Sequence, residues 1–173
     1  MKKLLQLITF IIFVLTSGSL YAESPYYLNF KYILNESTAG KKAQTSLKNK
    51  LDKGIKSLRA EEAKILEDEK KLIQQKKILA PEEYKKKVAE LRNKVSKIQK
   101  KRNDLLNSVA KQRSKAKNEL LKNLNPIMKN YMQEKKIRMI VDKKDVLLAD
   151  ENLDITKDII ALLNKKLKSI KLD

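Results

Sequence analysis

Side chains able to carry covalent, redox or metal chemistry are almost missing from this sequence. Its 173 residues include no His and no Cys. That removes the imidazole and thiolate ligands of most zinc sites and the usual nucleophile–base pairs. Of the acids, Glu61-Glu62 and Glu67-Asp68-Glu69 fall where a helix surface is expected, and Asp142 with Asp145 falls where turn propensity accounts for them. With 3 Gly in the whole chain, no phosphate-cradling loop occurs. The residues therefore argue against an enzyme and imply no cofactor or metal. What they can do is electrostatic. Lys and Arg number 40 against 21 Asp and Glu, a formal charge of +19. The excess is steepest over residues 85–129, with 15 basic side chains and 3 acidic, too lopsided for solubility alone. Lys85, Lys86, Lys87, Lys94, Arg102, Arg113 and Lys117 are the candidates to carry that field, which attracts anionic partners.

The element that must hold these cations is a long helical hairpin. Residues 42–133 contain one Gly and two Pro, so little interrupts a helix. Leu51, Leu58, Ile65, Leu72 and Leu79 recur every seven residues. Tyr84, Val88, Leu91, Val95, Ile98, Arg102, Leu105 and Val109 alternate in steps of four and three. Both stripes are the pattern of helices that bury one narrow seam against each other. Ala80-Pro81-Glu82-Glu83 separates them, and proline with early carboxylates suits the first turn of a new helix. An antiparallel hairpin follows, with its tip near 79–83 and, apart from Ile78 and Leu79, few large apolar residues exposed there. Its first arm, 42–79, spans roughly 57 Å at about 1.5 Å per residue, too long for a compact domain of this size. After Val109 the seam changes phase to Ala116, Leu120, Leu124, Ile127 and Tyr131, and Pro126 predicts a kink.

The two ends of the chain read differently. Residues 1–22, with Lys2-Lys3 before an apolar run from Leu4 to Leu15, have the form of a secretory signal cut after Ala22. The run is too short to span a bilayer. The exported chain would contain no disulfides. Segments 26–30, 137–141 and 146–149 predict three short strands, the last two joined by a turn at 142–145, and a final helix follows Leu153 with Asp154 or Thr156 as its cap. The predicted fold class is α+β, mostly α: a tentacle-like hairpin (42–133) projecting from a small β body (23–41 and 134–173). Three strands leave open edges. The body therefore predicts an oligomer, assembled through Tyr27, Leu28, Phe30, Ile140, Val141, Val146 and Leu148.

Leu28-Asn29-Phe30 and the run Ile33-Leu34-Asn35-Glu36-Ser37-Thr38-Ala39-Gly40-Lys41 resemble the N-terminal signature of the Skp/OmpH family of periplasmic chaperones. Ile140-Val141-Asp142-Lys143, Val146-Leu147 and Asp154-Ile155-Thr156, leading into Ile159 to Asn164, resemble its C-terminal end. The resemblance covers the whole chain after the signal. It implies a homotrimer in the periplasm whose three hairpins enclose a cavity and hold unfolded outer-membrane β-barrel proteins without ATP. Two other partners fit the charge alone. Lipopolysaccharide or anionic phospholipid suits the cationic helices. Nucleic acid is attracted through its phosphates, but an exported chain meets little of it and no specific nucleic-acid motif occurs.

Overall fold

The computed structural model describes residues 24–172. The predicted signal segment and its cut after Ala22 lie outside the described residues. The chain runs β1 (Tyr26–Leu28), α1 (Phe30–Glu36), α2 (Thr38–Gln75), α3 (Pro81–Glu134), β2 (Ile140–Asp142) and α4 (Thr156–Lys166). Single 3-10 turns at Lys143–Asp145 and Glu151–Leu153 lie between β2 and α4.

The hairpin is α2 and α3, of 38 and 54 residues. At about 1.5 Å per residue these are rods of roughly 57 and 81 Å. α2 starts at Thr38, four residues before the expected start of the hairpin at 42. Ser37 alone breaks the helix: it is extended, and its hydroxyl accepts the Gly40 N–H at 3.2 Å as the cap of α2. Gly40 is required there, since a Cβ on it would meet the Leu34 carbonyl oxygen at 2.0 Å. α2 ends at Gln75, and the tip is the turn 76–80, closed by Ile78 and Leu79 N–H groups donating to the Gln75 carbonyl at 2.9 and 3.0 Å. Pro81 then opens α3 with Glu82 and Glu83 in its first turn. α3 continues through Pro126 to Glu134 as one helix.

The two arms bury Ala43, Leu47, Leu58 and Leu72 against Ile98, Val109 and Ala116. Gly54 faces Leu105 so closely that a Cβ would lie 2.4 Å from a Leu105 methyl, so the missing side chain makes room for Leu105 at that level. Below it, α3 enters the body. Leu120, Leu124, Ile127 and Tyr131 join Leu28, Ile33, Ala39, Ile137, Ile155, Ile159 and Leu163 in one core. The end of α3 is thus the spine of the body, although its sequence reads as hairpin.

The sheet departs most from expectation. It has two strands, β1 and β2, paired in parallel with Tyr26 opposite Ile140 and Leu28 opposite Asp142. Parallel neighbours need a long crossover, and the hairpin is that crossover. The first strand stops at Leu28 because the Asn29 side chain accepts the Tyr32 N–H at 2.8 Å and starts α1 at Phe30. Residues 137–139 are not strand. Lys136, at φ 56°, terminates α3, and the Ile137 N–H turns back to the Met132 carbonyl at 2.8 Å. The expected third strand at 146–149 and its antiparallel hairpin do not form. Asp142 draws the chain into the 3-10 turn by accepting the Lys144 N–H, and among the described residues no strand pairs with Val146–Ala149. Leu147 and Leu148 are exposed at 106% and 94%. The second edge of β1 is met instead by a bridge from Tyr27 to Asp154, with Ile155 N–H donating to the Tyr27 carbonyl at 3.0 Å.

Polar side chains then tie the ends together. Asn29 N–H donates to the Thr156 hydroxyl at 2.8 Å, and Thr38 N–H to Asn164 Oδ1 at 2.7 Å. Asp154 accepts from the Thr156 N–H at 3.0 Å, from the Thr156 hydroxyl, and from Lys143 Nζ at 2.8 Å. Burial pushes the Asp154 carboxyl up, but these donors outweigh it and hold it below the ordinary value. The Tyr131 hydroxyl donates to Asp158 Oδ2 at 2.6 Å, joining α3 to α4; burial and then this bond push its pKa up to about 12.

Candidate binding surfaces of the hairpin

The seven predicted cations are not gathered into one patch. Lys85 and Lys117 lie 32 positions apart on α3, roughly 48 Å of helix. Three of the seven are engaged. Lys94 donates to Asp68 Oδ2 at 2.6 Å, Arg102 pairs with Glu62, and Lys87 lies 3.7 Å from Glu83 one turn back. Lys101 adds a pair with Glu61 at 2.7 Å. The pairs made by Lys94, Lys101 and Arg102 cross from α3 to α2 along residues 61–68. They explain why an arginine can occupy a seam position: Arg102 leaves the seam to meet Glu62. Hydrogen bonding to Lys94 and its charge hold Asp68 below the usual carboxylate range, and Lys71 does the same for Glu67 within α2. Lys85, Lys86, Arg113 and Lys117 make no ion pair among the described residues and are exposed, two near the tip and two near the root. Free cations therefore stand at both ends of the arm, and Arg92, Lys97 and Lys100 between them, also exposed and in no ion pair among the described residues, extend the positive field along its length.

Between those ends lies an apolar strip. Ile65, Leu72, Tyr84, Val88, Leu91 and Val95 line an open cleft of about 390 Å³, and Ile65 and Val95 continue into a second of about 190 Å³ with Leu66 and Ile98. Leu66 is 53% exposed, Ile73 61% and Val95 45%, while Ile78 at the tip is 83% exposed. The seam residues of this strip are legible in the sequence, whereas Leu66 and Ile73 are not, because a seven-residue repeat counts one residue per two turns. The signal was the doublets Ile65-Leu66 and Leu72-Ile73: the first member of each enters the seam, and the second, about 100° around the helix, is left outside it.

A third surface lies at the root. Leu34, Ala43, Leu47, Leu51, Val109 and Leu120 floor a groove of about 650 Å³, and Lys48, Arg113 and Lys117 stand along it. Apolar floor and cationic rim together suit an extended chain or an amphiphile with anionic groups. Among the described residues no cluster of three metal-ligating side chains occurs, and no helix is long and apolar enough to cross a membrane.

A two-helix arm standing on a small strand-bearing body defines a mostly helical, arm-bearing fold class. Residues 26–163 match a family model described as outer membrane protein (OmpH-like), and the chain belongs to that family. Among solved structures it is similar to a Caulobacter crescentus protein described as an OmpH-like outer membrane chaperone, at 23% identity and a TM-score of 0.80, covering 91% of this chain and 94% of that one. That likeness extends to the long hairpin and the small β part. A search of curated proteins gives no match.

Proposed function

We propose that this protein is an ATP-independent holding chaperone of the periplasm, exported by the signal at 1–22, that binds unfolded outer-membrane β-barrel polypeptides and keeps them from aggregating. The observation that carries this reading is the distal hairpin, where exposed Leu66, Ile73 and Val95 lie among exposed cations spread along one projecting arm. An unfolded β-barrel strand offers apolar side chains on one face. Many weak contacts lower the free concentration of such a chain by mass action and still allow release. Lys is a mobile point charge that imposes no fixed partner geometry. No chemical step is required, and the role is not enzymatic.

The division into a body (23–41 and 134–173) and a hairpin (42–133) belongs to this reading, as does assembly into a homotrimer. Support for assembly comes from Leu147 and Leu148, apolar side chains thrust into solvent beside a two-stranded sheet. Such patches mark contact surfaces, and three copies joined there set three arms around a cavity.

The test is dilution of a denatured β-barrel precursor into buffer containing excess protein and no nucleotide. Light scattering is expected to stay flat, and aggregation at an unchanged rate overturns the reading. The solution mass of the exported chain is expected to be three times the protomer. A second reading is favoured by the root groove, whose cationic rim and apolar floor suit lipopolysaccharide or anionic phospholipid. Anionic vesicles that displace bound precursor would assign both ligands to one surface.

A further inference from the structure

The outer half of the hairpin has two unlike flanks. On α2, Glu62, Leu66, Glu69 and Ile73 recur in steps of four, three and four, so they share one face. Glu61 and Asp68 each stand one position before an acid of that face, about 100° around the helix. Glu62, Leu66, Glu69 and Ile73 line the two open clefts of the outer arm, with Val95 common to both, whereas Glu61, Asp68, Lys94 and Lys101 line neither. The ties between the arms divide in the same way. Lys94–Asp68 and Lys101–Glu61 stand off the clefts, and Arg102–Glu62 stands at the edge of one. An arginine and its carboxylate thus end the apolar strip, on the strip's own side of the arm.

We propose that Arg102 is a specificity-determining residue of this flank: it takes a carboxylate of the bound polypeptide in place of Glu62, so the strip selects extended segments whose apolar face ends in an acid. The inference rests on the holding function above and names the feature of the polypeptide that the arm reads. Arg102 holds a position that the four-and-three spacing of α3 reserves for an apolar residue, and its side chain leaves the seam for the cleft's edge. Both partners of the pair are partly exposed, and exposed pairs contribute little, so exchanging one carboxylate for another is close to neutral. A guanidinium also fits a carboxylate through a planar fork of donors, which the point charges of Lys94 and Lys101 on the other flank lack. The spacing suits a strand. Glu62 is one turn from Leu66 on α2, roughly 6 Å along the axis, and side chains on one face of a strand are about 6.8 Å apart. An apolar side chain seated between Leu66 and Val95 therefore brings the next side chain of its face to Arg102. The arm's excess of 15 basic over 3 acidic side chains along 85–129 draws such an acid in.

The experiment measures binding of a fluorescent peptide of alternating Leu and Ser, with Asp in place of the last Leu, to the full chain carrying Glu62→Gln or Glu61→Gln. Each variant removes one negative charge and one exposed tie between the arms, so overall field and stability change alike. Only the first frees Arg102. Glu62→Gln is expected to bind about threefold more tightly than Glu61→Gln, the scale of one exposed ion pair, and equal affinities overturn the proposal. The reciprocal pair is Arg102→Gln and Lys101→Gln. Arg102→Gln is expected to bind the more weakly, by a similar factor, and equal loss overturns the proposal as well. With Asn in place of the peptide's Asp, the two Glu variants are expected to bind alike; a preference for Glu62→Gln that persists shows that no carboxylate is read. The aggregation assay is run in parallel on the native chain. Suppressed aggregation with equal responses at positions 61 and 62 sinks this inference alone, whereas unsuppressed aggregation sinks the holding function and leaves the peptide comparison to decide the role of Arg102.

Discussion

The root and the outer half of the hairpin are built from the same two helices and held by different forces. At the root, Leu120 and Leu124 enter a core with Ile33, Ile159 and Leu163, four of these five being fully buried, and close packing there tolerates little change of shape. In the outer half, the seam buries Leu58, Leu72 and Ile98, none as completely as those four, and the arms are tied by Lys94–Asp68, Lys101–Glu61 and Arg102–Glu62, whose partners are all well exposed. Exposed pairs of this kind contribute little each and are screened by salt. The difference teaches that the apolar residues of the outer half were not spent on holding the arm together. They remain available on its surface, and the arm opens more easily than its foot.

The widest contrast between these halves comes from removing one side chain in each. Leu124→Ala is expected to cost about 3 kcal/mol and lower the melting transition of the whole chain. Val95→Ala in the outer half should move stability by about 0.5 kcal/mol or less. Equal costs in thermal melts would break the comparison. Gly40→Ala comes next, at about 2 kcal/mol, because its methyl group meets rigid backbone at Leu34. Tyr131→Phe, which leaves Asp158 without its donor, should cost about 1 kcal/mol. It also carries a pH signature. Because Tyr131 titrates at about 12 in the fold against an ordinary 10.0, its contribution is complete below pH 10 and lost as pH rises toward 12. An alkaline melt of native and Phe variants separates this from other tyrosines. Asp154 acts in the opposite direction: held below its ordinary 3.8, its contribution is present above that pH and lost in acid. The smallest effect is salt. At about 1 M, where the screening length falls to about 3 Å, amide exchange should quicken over 58–75 and 91–102 and stay unchanged over 118–131. Equal response of the two regions would show that charge does not hold the outer arms.

Much of this architecture was legible in the sequence, because a seven-residue apolar repeat and a proline at a helix start act over a few neighbours. The seam positions Leu58, Leu72, Ile98 and Val109 are buried as their spacing requires, and Pro81 opens α3. The β body was less legible. Val146-Leu147-Leu148-Ala149 has strand composition, but a strand exists only with a partner, and composition does not say that Asp142 will turn the chain away from the sheet first. Parallel pairing of β1 with β2 was hidden for the same reason, since the two strands are joined only through the whole hairpin. The motifs behind the family resemblance gain a physical account. Asn29 and Ser37 are helix caps, Gly40 a close approach, and Thr156 and Asn164 cross-ties that join the chain's two ends. The expected cap of α4 by Asp154 or Thr156 does not form: Ile155 is its N-cap and Thr156 its first residue, with Asp154 accepting the Thr156 N–H. Of the binding surfaces, the cations were found but their partners across the seam were not, and the second members of the apolar doublets were overlooked.

The parallel register of Tyr26 with Ile140 dictates an order of events in folding. A chain that emerges N-terminus first exposes β1 long before its mate exists, and more than a hundred residues must follow before the pair can close. α2 and α3, whose contacts are comparatively local, zip from the turn at 76–80 and bring both ends to one place. The arms are therefore the scaffold on which the foot assembles, and a lesion at the turn would slow the formation of a sheet roughly 60 Å away.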